Sequence, residues 1–415
     1  MRRVVITGFG IVSPIGTGAE AFFAALEAGK NGIAPITRFD ASGLDVRYAG
    51  EVKEQPVFDD DIERALVRRD PKVGFALQAA SEALNMARVA SFSRDDLIHI
   101  GTSLESFFFR EFSVAPDNQG EDAFLQRLLT HPWRLPLDAA LNALRKRYGD
   151  PGQAVTNCSA CAVGAQTIGQ AFHALRDGRF SLALAGGFDS VINPLGVGGF
   201  QLLGAPAIGA PKNGAALCRP FDANRAGLVL GEGAGFVVLE EREQALAAGK
   251  TVYAEVNGYG ATLDAHALSA PDPDGDGAAR AMLAALADAG LPAATVDHIN
   301  AHGTGTHLND PTEAHAIRRV FADSWERIPV TAVKSMMGHS IAAAGAMEVI
   351  ACLYTLLRGM IPPNIGLEKT GSGCELHHVG QQAMPFAAQC VLTNSFGFGG
   401  QNATLILTRS DACNG

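Results

Sequence analysis

Cys161 stands where the β-branched pair Val155-Thr156 gives way to a long apolar segment with the pattern of a helix. From Ala162 to Leu175 no residue is charged and only Gln166, Thr167, Gln170 and His173 are clearly polar, so this helix is expected to be buried. A cysteine at the N-terminus of such a helix meets unpaired backbone N–H groups and the positive end of the helix dipole. Both favour the thiolate that a nucleophile needs. A buried cysteine is otherwise only a small hydrophobe, so this position needs support from elsewhere in the chain. His302 lies in Ala301-His302-Gly303-Thr304-Gly305-Thr306, where a strand meets a glycine-rich loop, and His339 follows Lys334-Ser335-Met336-Met337-Gly338 just ahead of an alanine-rich helix. Lys334 is a charge between apolar segments and must be solvated or paired. Asn394 to Gly400 forms a glycine–aromatic loop that can bring a backbone N–H close to a ligand. A cysteine, two imidazoles and a cation suit thiol-mediated acyl transfer. A cysteine protease uses one histidine oriented by an Asn or Asp; a second histidine implies a second oxyanion to be stabilised.

Helix and strand patterns alternate along the chain, which predicts α/β layers. Three landmarks recur in the same order. Ile6-Thr7-Gly8-Phe9-Gly10 resembles Val256-Asn257-Gly258-Tyr259-Gly260. An Ala-rich helix, a loop and a strand ending in Gly-Thr occur at Ala76 to Thr102 and again at Ala279 to Thr304. Ala154-Val155-Thr156 before Cys161 matches Pro329-Val330-Thr331 before His339. This repeat predicts duplicated halves of about 1–250 and 251–415, the first with the larger insertions. Packed about a pseudo-two-fold, Cys161 of one half would face His302 and His339 of the other.

Composition excludes several other readings. The chain has 415 residues, 47% hydrophobic and 18% charged, which is ample for a large interior. A net charge of −10 argues against nucleic acid or an anionic membrane as the main partner. The apolar run after Met1-Arg2-Arg3 is broken by Thr7 and Gly8 and reads as a first strand rather than a signal peptide. Ser181 to Ala210 is weakly polar but carries Asp189, Asn193, two prolines and many glycines, so no membrane span is expected and the protein is read as soluble and cytoplasmic. Seven scattered cysteines form no disulfide framework, and Cys158-x-x-Cys161 lacks the second ligand pair of a zinc site. The glycines of Gly231-Glu232-Gly233-Ala234-Gly235 precede the strand Phe236 to Leu239 rather than follow one, which argues against a dinucleotide fold. Asp272 to Gly277 lacks the spacing and terminal Glu of a calcium loop.

These segments together resemble the elongating β-ketoacyl-acyl carrier protein synthases of the thiolase superfamily, the condensing enzymes of fatty-acid and type II polyketide synthesis. The resemblance runs through Val4 to Gly8 with Ser13 to Gly16, Ser159-Ala160-Cys161, Cys218-Arg219-Pro220-Phe221-Asp222 on through Arg225 and Gly231 to Gly235, the His302 loop, Lys334 to His339, and Asn394 to Gly400. It implies a thiolase-like fold of two α/β halves layered α-β-α-β-α. Cys161 would be the acyl-accepting nucleophile, with His302 and His339 supporting decarboxylation of malonyl-carrier protein and Lys334 as their electrostatic partner near Glu348. The N–H groups of Cys161 and Phe398 would form an oxyanion hole, Phe398 would gate the cysteine, and Thr304 and Thr306 would hold the phosphopantetheine arm. No metal or redox cofactor is implied. The partners would be acyl carrier protein and, in a dimer, a second copy or a synthase-like chain-length-factor subunit. A non-catalytic chain-length factor would lack the cysteine, and a degradative thiolase would lack this pair of histidine loops.

Departures from the family pattern are Asn157-Cys158, Met337 before Gly338-His339, Gln401 after the double glycine, and Glu105 to Phe109 where glycines are usual. By the repeat, the residues after Gly101-Thr102 fall near the active site, so Leu104 and Phe107 are expected to plug the acyl pocket, with Phe108 and Phe109 at a subunit contact. An acidic protein that binds an acidic carrier needs a local basic face. Arg64, Arg68 and Lys72 at i, i+4 and i+8, with Arg69 adjacent, are the candidates, although Pro71 interrupts a helix there.

Overall fold

A computed structural model describes residues 2–103, 106–107, 134–209, 214–322 and 324–410. Its main sheet contains β1 (Val4–Ser13), β2 (Asp96–Gly101), β3 (Gln153–Asn157), β4 (Leu182–Ser190), β5 (Glu232–Glu241), β6 (Ala254–Leu263), β7 (His298–Asn300), β8 (Val330–Thr331), β9 (Cys390–Gly397) and β10 (Gln401–Thr408). The helices that frame the site are α1 (Asp61–Arg69), α2 (Pro71–Met86), α3 (Val163–Arg176), α4 (Pro194–Leu202), α5 (Asp276–Ala289), α6 (Asn309–Phe321) and α7 (Ala344–Arg358).

The strands run in the order β8-β7-β9-β10-β6-β1-β5-β4-β2-β3. From the centre outward each half therefore reads first, fifth, fourth, second and third strand of its own set. The directions match as well: antiparallel at β1–β5–β4 and β6–β10–β9, parallel at β4–β2–β3 and β9–β7–β8. The halves join where Val4 to Ile6 pair antiparallel with Val256 to Ala254.

The first repeated landmark has a packing cause. The register shifts between Ile6 and Gly8 and again between Val256 and Gly258. A Cβ on Gly10 would lie 2.1 Å from the Ala79 carbonyl oxygen of α2, and one on Gly260 would lie 2.1 Å from that of Ala281 in α5. Each half thus lays its outer Ala-rich helix directly on a strand backbone, which only glycine allows.

Between the half-sheets lie α3 and α7, each packed against strands of both. They meet where a Cβ on Gly164 would come within 2.8 Å of the Ala342 oxygen and the Ala346 nitrogen. With α2 and α5 outside, this is the five-layered duplicated fold. The stretch Ile341–Arg358, with a mean hydropathy of 1.5, is 89% buried here and serves as a core helix. Strand β5 begins at Glu232, so the glycines of Gly231 to Gly235 lie largely within the strand rather than ahead of it. Gly235 faces α7 so closely that a Cβ would lie 2.8 Å from Ala346 backbone. The six cysteines among the described residues are free thiols.

The expected basic stripe does not form as one face. Asp70 ends α1 and caps α2, its carboxylate accepting from the Lys72 N–H at 3.1 Å, with Pro71 in the first turn of the new helix. The break turns Lys72 inward, where it is 5% exposed and lies 3.6 Å from the Asp70 carboxylate. Arg64 points along α1 to Asp61 and to the carbonyls of Phe58 and Asp59, and Arg68 and Arg69 are exposed.

Candidate active site

Cys161 occupies the 3-10 turn Ala160–Ala162 at the head of α3, and the matching turn Ile341–Ala343 heads α7. In both, the first residue takes a left-handed backbone, φ 47° at Ala160 and 46° at Ile341. A β-carbon is strained there, and strain of this kind persists where the surrounding packing fixes it. Cys161 lines a cavity of about 290 Å³, whose lining also includes His302, His339, Thr304, Thr306 and Phe398.

His302 follows β7, and two carboxylates from the first turns of α6 hold its loop. Glu313 accepts the N–H groups of His302 (2.8 Å) and Gly303 (2.9 Å), and Asp310 accepts those of Thr304 and Gly305 at 3.1 Å. Asn394 of β9 donates to Glu313 at 3.2 Å, and the Phe221 N–H donates to Asp310 at 2.7 Å. On the other side, His339 is fixed by its N–H to the Val229 carbonyl (2.7 Å) and by the Gly231 N–H to its own carbonyl (2.8 Å). The two rings stand edge to face, with centroids 5.3 Å apart and planes at 85°.

Lys334 is fully buried and paired with Glu348 of α7. Its ammonium also donates to the His302 carbonyl at 2.7 Å and lies 3.3 Å from His302 Nδ1. An ammonium can only donate, so Nδ1 accepts and the ring proton sits on Nε2. At His339 the Ile341 N–H approaches Nδ1 at 3.3 Å and assigns the same tautomer. Burial, then the nearby Lys334 charge, and for His302 also His339, hold both imidazoles well below their ordinary pKa. Two neutral Nε2–H donors therefore serve one cavity.

The thiol departs from the expectation drawn from the helix end. Burial pushes Cys161 up to about 11, against the pull of the Phe398 N–H and of Lys334, while Asp189 adds to the rise. Desolvation of a sulfur anion outweighs the pull of these nearby donors and of the Lys334 charge. Glu348 is likewise raised to about 7 by burial, in spite of Lys334.

The structure brings Cys161, His302, His339, Lys334, Phe398, Thr304 and Thr306 together. The hydroxyls of Thr304 and Thr306 lie 3.0 Å apart. Phe398 packs against Phe200 with centroids 6.2 Å apart, and its N–H reaches Cys161. Cys158 is exposed, its Sγ 2.8 Å from the Ser103 carbonyl, and does not line the cavity. Leu104, Phe108 and Phe109 lie outside the described residues, and Phe107 belongs to the short strand Ser106–Phe107 paired with Arg134–Leu135. Sequence reasoning missed the roles of Glu313, Asp310 and Asp189, and the contact that Asn394 makes with Glu313. The one available signal was Asn309-Asp310-Pro311-Thr312-Glu313, acids at i and i+3 where a helix begins shortly after the His302 loop.

A cysteine heading one central helix, with two histidines delivered by the other half of a duplicated α/β fold, is the thiolase-like arrangement of condensing enzymes. The chain matches the beta-ketoacyl synthase N-terminal domain over residues 1–245 and the C-terminal domain over residues 253–368, and it belongs to the beta-ketoacyl synthase family. Among curated relatives, 3-oxoacyl-[acyl-carrier-protein] synthase 2 of Synechocystis is 36% identical over 412 residues, 97% of either chain. The protein of that name from Rhizobium meliloti is 37% identical over 422 residues, 99% of either chain. Among solved structures, a beta-ketoacyl synthase from Burkholderia phymatum is similar with a TM-score of 0.85 and 31% identity, covering 99% of this chain and 100% of that one. The ishigamide ketosynthase/chain length factor gives a TM-score of 0.84 at 35% identity over 99% of both chains. A type II polyketide synthase acyl-carrier protein in complex with its ketosynthase, bound to the hexaketide, gives 0.85 at 28%, covering 99% of this chain and 100% of that one.

Proposed function

We propose that the protein is a β-ketoacyl-acyl carrier protein synthase, joining a Cys161-bound acyl chain to malonyl-carrier protein by decarboxylative Claisen condensation. The observation that carries this reading is the pairing of one cysteine with two neutral Nε2–H imidazoles on a single cavity. Cys161 Sγ attacks the acyl thioester, the oxyanion is held by the N–H groups of Cys161 and Phe398, and the carrier thiol leaves with the proton. Malonyl thioester then binds with its carbonyl oxygen toward His302 and His339. Loss of carbon dioxide leaves an enolate, whose charge both N–H donors stabilise without carrying charge of their own into a dry site. The enolate carbon attacks the Cys161 thioester carbonyl, forming the new C–C bond and expelling the cysteine thiolate. Thr304 and Thr306 hold the arm, and Lys334 with Glu348 orients His302. The scheme needs no metal or redox cofactor.

The partner is acyl carrier protein, and the working unit is a dimer with a second copy or with a chain-length-factor subunit, in the cytoplasm. The test incubates the protein with acyl- and malonyl-carrier protein and follows both Cys161 and product by mass spectrometry. An acyl adduct on Cys161 followed by a β-ketoacyl product two carbons longer is expected. Carbon dioxide release with no acyl adduct would contradict the synthase reading.

A further inference from the structure

Holding an acyl oxyanion requires two backbone N–H groups from different elements to meet at one point. Cys161 presents its own from the turn that heads α3, and Phe398 presents the other from the turn Phe398–Gly400, which joins β9 to β10. Both N–H groups reach the Cys161 sulfur. Ala160, just before the cysteine, is held at φ 47°, and the second turn carries Gly399 and Gly400 at φ 78° and 74°. A left-handed alanine and two left-handed glycines keep such geometry only where their surroundings fix it.

Three polar side chains link the two turns. Ser159, two residues before Cys161, donates its hydroxyl to Gln166 Oε1 in the first turn of α3. Gln166 Nε2 donates in turn to Gln401 Oε1 at 3.5 Å, the long end of a hydrogen bond. Gln401 directly follows the double glycine and pairs with Gly397 across the base of the Phe398 turn, so where it sits bears on the direction of the Phe398 N–H. Gly397 itself lies against the head of α3, since a Cβ there would come 3.1 Å from the Cys161 nitrogen and 3.2 Å from that of Ala162. Gln166 is 6% exposed on a helix whose buried residues are mostly apolar, where an amide is costly unless its ends are bonded. The link also gives a structural reason for Gln401, one of the departures from the family pattern.

On the reading that Cys161 carries the acyl group, we propose that Gln166 and Gln401 are positioning residues, which hold the two oxyanion donors in register by tying the Phe398 turn to the Cys161 turn through Ser159. Neither glutamine lines the cavity, so both act through the backbone they fix. Their loss is felt where the acyl oxyanion forms. The enolate is held from elsewhere, by His302 on the loop after β7 and His339 on the segment before α7.

The test measures the two steps separately in Gln166→Leu, Gln401→Leu and the double variant. Loading is followed by intact mass as acyl transfer to Cys161 at saturating acyl thioester. Decarboxylation is followed as single-turnover release of labelled carbon dioxide from malonyl-carrier protein, on protein loaded to completion beforehand. Loading is expected to slow about tenfold in each single variant, less than the roughly 10²–10³-fold lost when an oxyanion donor is removed outright. The double variant is expected to be no slower than the slower single variant, because both changes cut one chain. Carbon dioxide release is expected to stay within about twofold of the unsubstituted rate. Gln401→Glu keeps an acceptor at the same reach and is expected to restore loading to within about twofold, which relief of a purely apolar packing defect would not do. Gln401 is only half-buried, so its variants carry the test even where a change inside α3 unfolds the protein. Loading at the unsubstituted rate in Gln401→Leu, loading and decarboxylation that fall together, losses that multiply in the double variant, or Gln401→Glu as slow as Gln401→Leu would each overturn the proposal. An unsubstituted protein that takes no acyl group on Cys161 would instead contradict the synthase reading on which the proposal rests.

Discussion

Lys334→Met should cost both stability and activity, and the two losses should separate in a double variant. The ammonium is buried and answers three acceptors: the Glu348 carboxylate, the His302 carbonyl and His302 Nδ1. Breaking a buried pair from one side costs about 3–5 kcal/mol because the remaining charge is uncompensated. Glu348 already sits at about 7, so without Lys334 it rises further and takes up a proton, which holds the loss near 3 kcal/mol (about the low end of that range) at neutral pH. With unfolding entropy of about 2.1 cal/mol/K per residue, 415 residues melting as one unit lose roughly 3–4 °C in Tm. A carboxyl raised in the folded state contributes stability below its unfolded pKa and loses it as pH rises through the folded value. The deficit relative to the unsubstituted protein should therefore grow from pH 6 to pH 9. Lys334→Met/Glu348→Leu replaces both charges with apolar volume and should recover most of the Tm. Malonyl decarboxylation should stay at least about tenfold low in both variants, because His302 Nδ1 has lost the donor that sets its tautomer. Calorimetry and carbon dioxide release on the same samples decide it. A double variant with restored decarboxylation would refute the positioning role of Lys334, and one as unstable as the single variant would refute the electrostatic account.

Further outcomes follow from the same geometry. Because burial sets the Cys161 thiol at about 11, alkylation of the free protein by iodoacetamide should rise about tenfold per pH unit from 7 to 10; a plateau below pH 8 would restore the helix-dipole expectation. With both imidazole pKa values depressed, the protonated forms appear only well below 6.5, so malonyl decarboxylation should not fall between pH 7.5 and 6; a titration centred near 6.5 (about the ordinary imidazole value) would contradict the buried neutral pair. Gly260→Val and Gly10→Val should each cost about 3 kcal/mol or more, since the added atoms meet helix backbone that cannot move aside; urea unfolding checks this, and a near-neutral result in either would deny the close strand–helix approach.

The repeat was legible because it has a backbone cause. Glycines at 8, 10, 258 and 260 are demanded by helices lying on strands, so the pattern survives in both halves whatever the side chains do. Cys161, His302 and His339 were legible because each stands at a strand-to-helix or strand-to-loop change, and the duplication says which ends face one another. What could not be read is what burial does. The sequence places Cys161 at a helix end, but only the folded chain shows that burial of the sulfur raises the thiol in spite of the Phe398 N–H and Lys334. Glu313 and Asp310 look like ordinary acids opening a helix until the His302 loop hangs from them. Lys72 completes a basic stripe only if the helix continues through Pro71, and the Asp70 cap shows that it starts anew.

The central claim is that Cys161 accepts the acyl chain while His302 and His339 together stabilise the malonyl-derived enolate. The most direct measurement pairs intact-mass analysis of Cys161 with release of labelled carbon dioxide from carboxyl-labelled malonyl-carrier protein, in His302→Ala and His339→Ala. Each variant should still load the acyl group on Cys161, while carbon dioxide release falls by about 10²–10³-fold, as expected for loss of one oxyanion donor. Release at the unsubstituted rate in both variants, or failure of both to load Cys161 while release persists, would contradict it.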